Sequence, residues 1–168
     1  MSEQEYVQRV GTWGFSPERM ARIAALTHSR IERLSDLGHL TAFLFAGRLN
    51  LPAEAFAGGK LDGDELRKAY QIAQWDFDSL RTWDIANIEA ALKRVAAAVD
   101  KKFRDVVRPF YVAITGSPTS IPLFDAMEIL GRDIVRERLR NALDVLGTPK
   151  AAEQKEWQKS LAVMEEPA

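Results

Sequence analysis

Apolar residues in this chain recur mostly at intervals of three and four, and that period confines most of it to amphipathic helices. The spacing predicts a helix from Pro17 to about Leu34 and a short one from Ser35 to Phe45. A third starts at Asp62 and runs to about Leu80, a fourth spans Asp84 to Val99, and a fifth covers Lys102 to Ile114. A pair follows Pro122, broken near Gly131 and stopped by Gly147-Thr148-Pro149. Two starts carry explicit signals. Ser16-Pro17-Glu18 offers a serine cap, a proline at the first helical position and an acid at the positive end of the dipole. Asp62 with Glu65 forms a capping-box-like pair. Residues 46–63 are aperiodic and rich in glycine and alanine, so they are the best candidate for an internal boundary. Beyond residue 150, Trp157, Leu161 and Met164 keep helical spacing, which fits a docked helix or a frayed terminus. The fold class is all-α.

With 168 residues the chain suits one medium domain or two small subdomains. A formal net charge of −1 removes any global attraction to nucleic acid or membrane, so such attraction must come from local clusters. The absence of cysteine excludes disulfides, thiolate metal sites and a cysteine nucleophile. No apolar run approaches the ~20 residues of a membrane span. The start, MSEQEYVQRV, is acidic and polar, unlike a signal peptide. These features point to a soluble cytoplasmic protein.

Residues 108–133, RPFYVAITGSPTSIPLFDAMEILGRD, raise the chemical question. An apolar, strand-favouring run feeds a turn with Gly116, Ser117, Thr119 and Ser120, and a helical pattern resumes. A P-loop would need a second glycine followed by lysine; Gly116 has no partner before Gly131. A nucleophilic serine would need a base and an elbow, and neither is evident. The two histidines, His28 and His39, are eleven residues apart, about 16 Å even along one helix, so they do not share a metal without a fold-back. Asp62, Asp64 and Glu65 lack the order of a calcium loop and suit capping better. No catalytic residue, metal site or cofactor site is expected.

Positive charge is concentrated in two places. On a continuous helix 17–34, Arg19, Arg22, Arg30 and Arg33 would share an arc of about 80° beside an apolar stripe. Arginine's planar fork suits phosphates and base edges. Between Lys93 and Arg140, ten basic residues face six acidic ones, a local +4 that leaves −5 on the rest. The ten are Lys93, Arg94, Lys101, Lys102, Arg104, Arg108, Arg132, Arg136, Arg138 and Arg140.

The string from Arg108 to Leu143, preceded by WDIANIEAALKRVA, resembles the C-terminal anticodon-binding region of bacterial glutamyl-tRNA synthetase. Matching pieces are Trp83, Ile88 to Leu92, Pro109, Ala113 to Ser117, Pro122 to Phe124 and Glu128 to Gly131, and SRIERLSDLGHLTAFLF looks like the family's upstream arginine-bearing helix. The similarity covers about residues 1–146. It implies an all-α cage of two helical subdomains around the anticodon loop: residues 1–60, residues 61–147 with the contacting turn, and a tail or helix over 148–168. By the same resemblance Arg30 reads the third anticodon base, with Arg33 beside it. Ser120, Ile121 and Leu123 contact the first two, with Ser117, Thr119 and Tyr111 as the remaining tRNA-binding residues. Tyr111 stands where the family usually has arginine, whose bidentate contact a tyrosine cannot make.

The resemblance also implies a class I aminoacyl-tRNA synthetase, yet no His-Ile-Gly-His-like or Lys-Met-Ser-Lys-Ser-like signature is present. The chain by itself is therefore not expected to activate glutamate; ATP and magnesium would belong to a catalytic domain outside it. Expected partners are that catalytic domain and glutamate tRNA, with glutamine tRNA a second candidate, and neither DNA nor membrane. The alternative is a helical protein–protein interaction module without RNA binding.

Overall fold

The computed structural model describes residues 1–165, with side-chain surroundings through 161. It is all-α, with nine α-helices and no strand among the described residues. They group into two compact units, Met1–Ala46 and a larger one beginning at Gly47.

The first unit holds α1 (Glu3–Gly14), α2 (Pro17–Thr27), α3 (Asp36–Thr41) and a 3-10 turn over Ala42–Leu44. Its core is small, built on Ile23, Phe43 and Leu44 with the hydroxyls of Thr27 and Thr41 buried among them. Helix α1 is absent from the periodicity reading because its large apolar residues point outward: Tyr6, Val7 and Trp13 are all exposed. The local signal was there, however. Ser2 and Glu5 form a full capping box, with Glu5 N–H donating to Ser2 Oγ at 3.2 Å and Ser2 N–H to Glu5 Oε2 at 2.8 Å. At Ser16 the expected cap is in place, its Oγ accepting Arg19 N–H.

The helix expected over 17–34 ends at Thr27 instead. Thr27 Oγ1 donates back to the Ile23 carbonyl at 2.9 Å, a bond that loosens helices. Beyond it, Asp36 Oδ2 accepts the N–H groups of Glu32 and Arg33, at 3.3 and 3.0 Å, drawing them away from a helical ladder. Asp36 thus folds 28–35 into a loop that a period count cannot distinguish from helix.

The second unit contains a 3-10 turn over Ala53–Phe56, α4 (Gly63–Ser79), α5 (Ile85–Ala98), α6 (Phe103–Thr115), α7 (Leu123–Leu130), α8 (Arg132–Leu146) and α9 (Ala151–Glu165). Helix α4 packs on α5 and α8, and α6 is surrounded by α5, α7 and α8. Fully buried Tyr70, Phe77, Ile88, Leu92, Phe110, Met127 and Leu139 fill the space between. The Asp62–Glu65 capping box opens α4 as expected, with both reciprocal bonds made.

Pro109 lies inside α6, where its missing N–H and ring ordinarily break a helix. Here the ring is buried in the core, and the Pro109 carbonyl accepts a hydrogen bond from Tyr70 Oη at 2.9 Å. Full burial pushes the Tyr70 hydroxyl well above its ordinary pKa, so it stays a donor.

A boundary at residue 60 is displaced to Ala46/Gly47 by three apolar anchors. Leu51, Phe56 and Leu61 are buried, and Phe56 meets Tyr70 edge-on with ring centroids 6.1 Å apart. Asn141 Nδ2 donates to the Leu49 carbonyl at 2.7 Å. Spaced by five residues, these anchors carry no helical period, so the segment looks like a linker when it is core. The tail also belongs to this unit. Arg67 Nη2 pairs with Glu153 at 2.6 Å and its Nε donates to Gly147 O at 2.8 Å, docking α9 on α4. Trp157 and Leu161 lie half-buried in α9; the side chain of Met164 lies outside the described residues.

Candidate nucleic-acid interface

The Gly/Ser/Thr segment is a turn joining α6 to α7, with hydrogen bonds made by three side chains at and beside the helix ends that flank it. Gly116 ends α6 in the left-handed conformation, φ 79°, which favours glycine. Thr115 Oγ1 lies 2.9 Å from the Tyr111 carbonyl oxygen and 3.0 Å from that of Ser117, and accepts the Ser117 N–H at 3.3 Å. Tyr111 Oη accepts the Leu123 N–H at 3.0 Å, so it caps α7, whose own N-cap residue, Pro122, has no side-chain acceptor. From beneath, the guanidinium of Arg138 donates to the carbonyls of Ile114 and Gly47.

Arg138 has no solvent exposure, and desolvation lowers its pKa to about 10. It therefore remains charged at neutral pH and offers donors to the Gly47 carbonyl and to that of Ile114 at the α6 C-terminus, where the helix dipole favours a cation.

Of the residues expected at the interface, this arrangement brings Tyr111, Ser117, Thr119, Ser120, Ile121 and Leu123 together on and around one turn. Thr119 is exposed; Tyr111, Ser117 and Ser120 are half-buried. Ile121 and Leu123 are 0% and 2% exposed as whole residues, so they anchor the turn from inside and present no surface to a ligand. Arg30 and Arg33 are exposed but belong to the first unit, in the 28–35 loop. The four-arginine helical face does not form. Arg19 stays on α2, half-buried, its guanidinium 5.7 Å from the Trp13 ring centroid and bonded to the Leu44 carbonyl at 3.3 Å. Burial lowers its pKa.

The ten cations between Lys93 and Arg140 also sort differently from their count. Lys93 pairs with Glu89, Arg94 with Asp76, Lys101 with Glu65, Arg136 with Asp78 and Arg140 with Glu137. Arg132 donates to the Leu80 carbonyl and lies over Trp83. Arg138 is buried. Lys102, Arg104 and Arg108 remain exposed, without an ion pair to any described residue. No group of three or more His, Asp or Glu side chains capable of holding a metal occurs among the described residues. No described helix is long and apolar enough to cross a membrane.

Residues 4–143 match the family model described as "Anticodon binding domain". The chain belongs to that family. This anticodon binding domain is 40% identical over 161 residues to the glutamate–tRNA ligase of Pseudomonas fluorescens (strain Pf0-1), covering 96% of this chain and 33% of the relative. It is 41% identical over 159 residues to the glutamate–tRNA ligase of Stutzerimonas stutzeri (strain A1501), covering 95% and 32%. The domain thus spans about a third of the length of the curated relatives it matches. Among solved structures, a glutamate tRNA ligase from Elizabethkingia meningosepticum, in complex with its amino acid, superposes with a TM-score of 0.70 at 19% identity. That likeness covers 85% of this chain and 28% of the other and concerns the fold.

Proposed function

We propose that this chain recognises the anticodon loop of glutamate tRNA, serving glutamylation carried out by a catalytic part that lies outside it. One observation carries the reading: Thr115 bonds Ser117 within the turn over 116–122, Arg138 holds the Ile114 carbonyl on the helix before it and Tyr111 caps Leu123 on the helix after it, while the tip, Pro118 and Thr119, stays exposed. Single-stranded RNA loops are read by fixed polar groups and main chain set against splayed bases, and such a pre-formed turn suits that task. The identity of about 40% with glutamate–tRNA ligases along nearly the whole chain supports the choice of tRNA.

Ser117, Thr119 and Ser120 meet the first two anticodon bases with side-chain and main-chain groups, and Ile121 and Leu123, expected to contact the same bases, support the turn from its buried side. Arg30 reads the third base, with Arg33 on nearby phosphate. Tyr111 offers its ring edge, its hydroxyl being committed to Leu123. Glutamine tRNA, whose anticodon is related, is the second tRNA to test. The remainder of the ligase, which would use ATP and magnesium, is the protein partner; this chain alone does not activate glutamate and works in the cytoplasm.

Fluorescence-anisotropy titration of a glutamate-tRNA anticodon stem-loop, against one with all three anticodon bases changed, tests this at two salt concentrations. Tighter binding of the cognate loop at both salts is expected. Binding of neither loop would refute it and favour the protein-interaction alternative.

A further inference from the structure

Helix α6 delivers its last turn, Tyr111 and Thr115, to the recognition loop. Residues 104, 108, 111 and 115 are separated by four, three and four positions, so they occupy one stripe of that helix. The stripe therefore begins with Arg104 and Arg108 and ends at Gly116, where the turn starts. Arg108 and Pro118 line the same small recess, about 70 Å³, together with Phe56, Pro109 and Val112, so the arginine abuts the turn itself. Lys60, exposed and without an ion pair to any described residue, follows Gly59, which lines that recess.

Every other cation of the Lys93–Arg140 cluster except Lys102 is occupied by a carboxylate, a carbonyl or an aromatic ring. Asp105, the one carboxylate in the same turn of α6, lies about 100° round the helix from Arg104.

We infer that Arg104 and Arg108 form a phosphate track for the RNA strand leading into the turn at 116–122. The inference rests on the anticodon-loop reading above and adds a site on the backbone side of it. Two arginines about 6 Å apart along the helix axis, without an ion pair to any described residue, are available to displace counterions from successive phosphates without reorganising the protein. Phosphate contacts set register and base contacts set specificity, so on this track base choice stays with the turn.

The test is a salt series of stem-loop titrations with the full chain, R104Q, R108Q, the double variant, and a control, R140Q, which removes an ion-paired arginine. Glutamine keeps helix propensity, and circular dichroism verifies folding. Each lost phosphate contact should reduce the slope of log K against log salt by about 0.7, so the double variant loses about 1.4. If the lines converge near 1 M salt, that amounts to about 25-fold weaker binding at 0.1 M, with the ratio of cognate to changed loop preserved. R140Q should leave the slope as it was. An unchanged slope in the double variant, with the parent still preferring the cognate loop, overturns the track and spares the anticodon reading. Equal parental binding to both loops, with the slope reduced in the double variant, does the reverse. A parent that binds neither loop removes both.

Discussion

Tyr111→Phe removes one oxygen and nothing else, which isolates the contact that joins α6 to α7 across the turn. In the parent that oxygen accepts the Leu123 N–H at 3.0 Å, at a helix start where proline supplies no side-chain cap. Loss of a capping acceptor costs about 1 kcal/mol. An N–H left without a partner costs about 1–3 kcal/mol, and the half-buried setting, which admits water, favours the lower end. The ring stays, so no cavity term is added. A loss of about 1 kcal/mol should lower the melting temperature by about 2–4 °C in a chain of this size. It should also speed hydrogen exchange at the Leu123 amide about fivefold, while amides in the α4–α5 core keep their protection. Tyr111→Arg should cost at least as much, because guanidinium has donors and no acceptor. A melting temperature within about 0.5 °C of the parent, together with an unchanged Leu123 exchange rate, would refute the capping role and with it the argument that the turn is pre-formed.

Arg30→Ala should weaken binding of the cognate stem-loop more than of a loop altered at the third anticodon base; equal weakening would remove its reading role. Asp36→Ala releases the N–H groups of Glu32 and Arg33 and should cost about 1 kcal/mol, eroding the preference at the third base while the phosphate-dependent salt slope persists. Arg138→Leu leaves the Ile114 and Gly47 carbonyls without their donor and should destabilise the second unit by about 2–4 kcal/mol, measured by urea unfolding. Acidification should release α9. The Lys150 N–H and the Arg67 guanidinium hold the Glu153 carboxyl below its ordinary range, so the stability it contributes is complete above the unfolded value. It is lost as pH falls through the lowered folded value, and exchange protection over 151–161 should fade in that window. Glu153→Gln should abolish this step.

The distinction between local and distant interactions separates what could be read early from what could not. Helix starts at Ser16 and Asp62 and the stop at Gly116 were legible because each rests on partners within four residues, and the dihedral or side-chain oxygen required is a property of the residue itself. The resemblance carried by the 108–133 segment located the turn for the same reason: its residues are contiguous. Helix α1 was legible in principle, through Ser2 and Glu5, but its apolar side chains face outward and leave no core stripe.

Charge was the quantity most altered by folding. Arg94 meets Asp76 across 18 residues, Arg136 meets Asp78 across 58 and Arg67 meets Glu153 across 86, so no short window of sequence shows what neutralises these three cations. The spacing of apolar residues determined that this chain is helical, composition that it is cysteine-free and nearly neutral, and local signals where most helices begin and end. Tertiary structure alone decided that Arg104 and Arg108 stay available while Arg94, Lys101 and Arg136 are paired. It also decided that Ile121 and Leu123 face inward, and that a tyrosine twelve residues upstream caps α7. Each of those outcomes depends on which surface lies opposite a side chain, and only the packing of α4, α5, α6, α7 and α8 against one another supplies that surface.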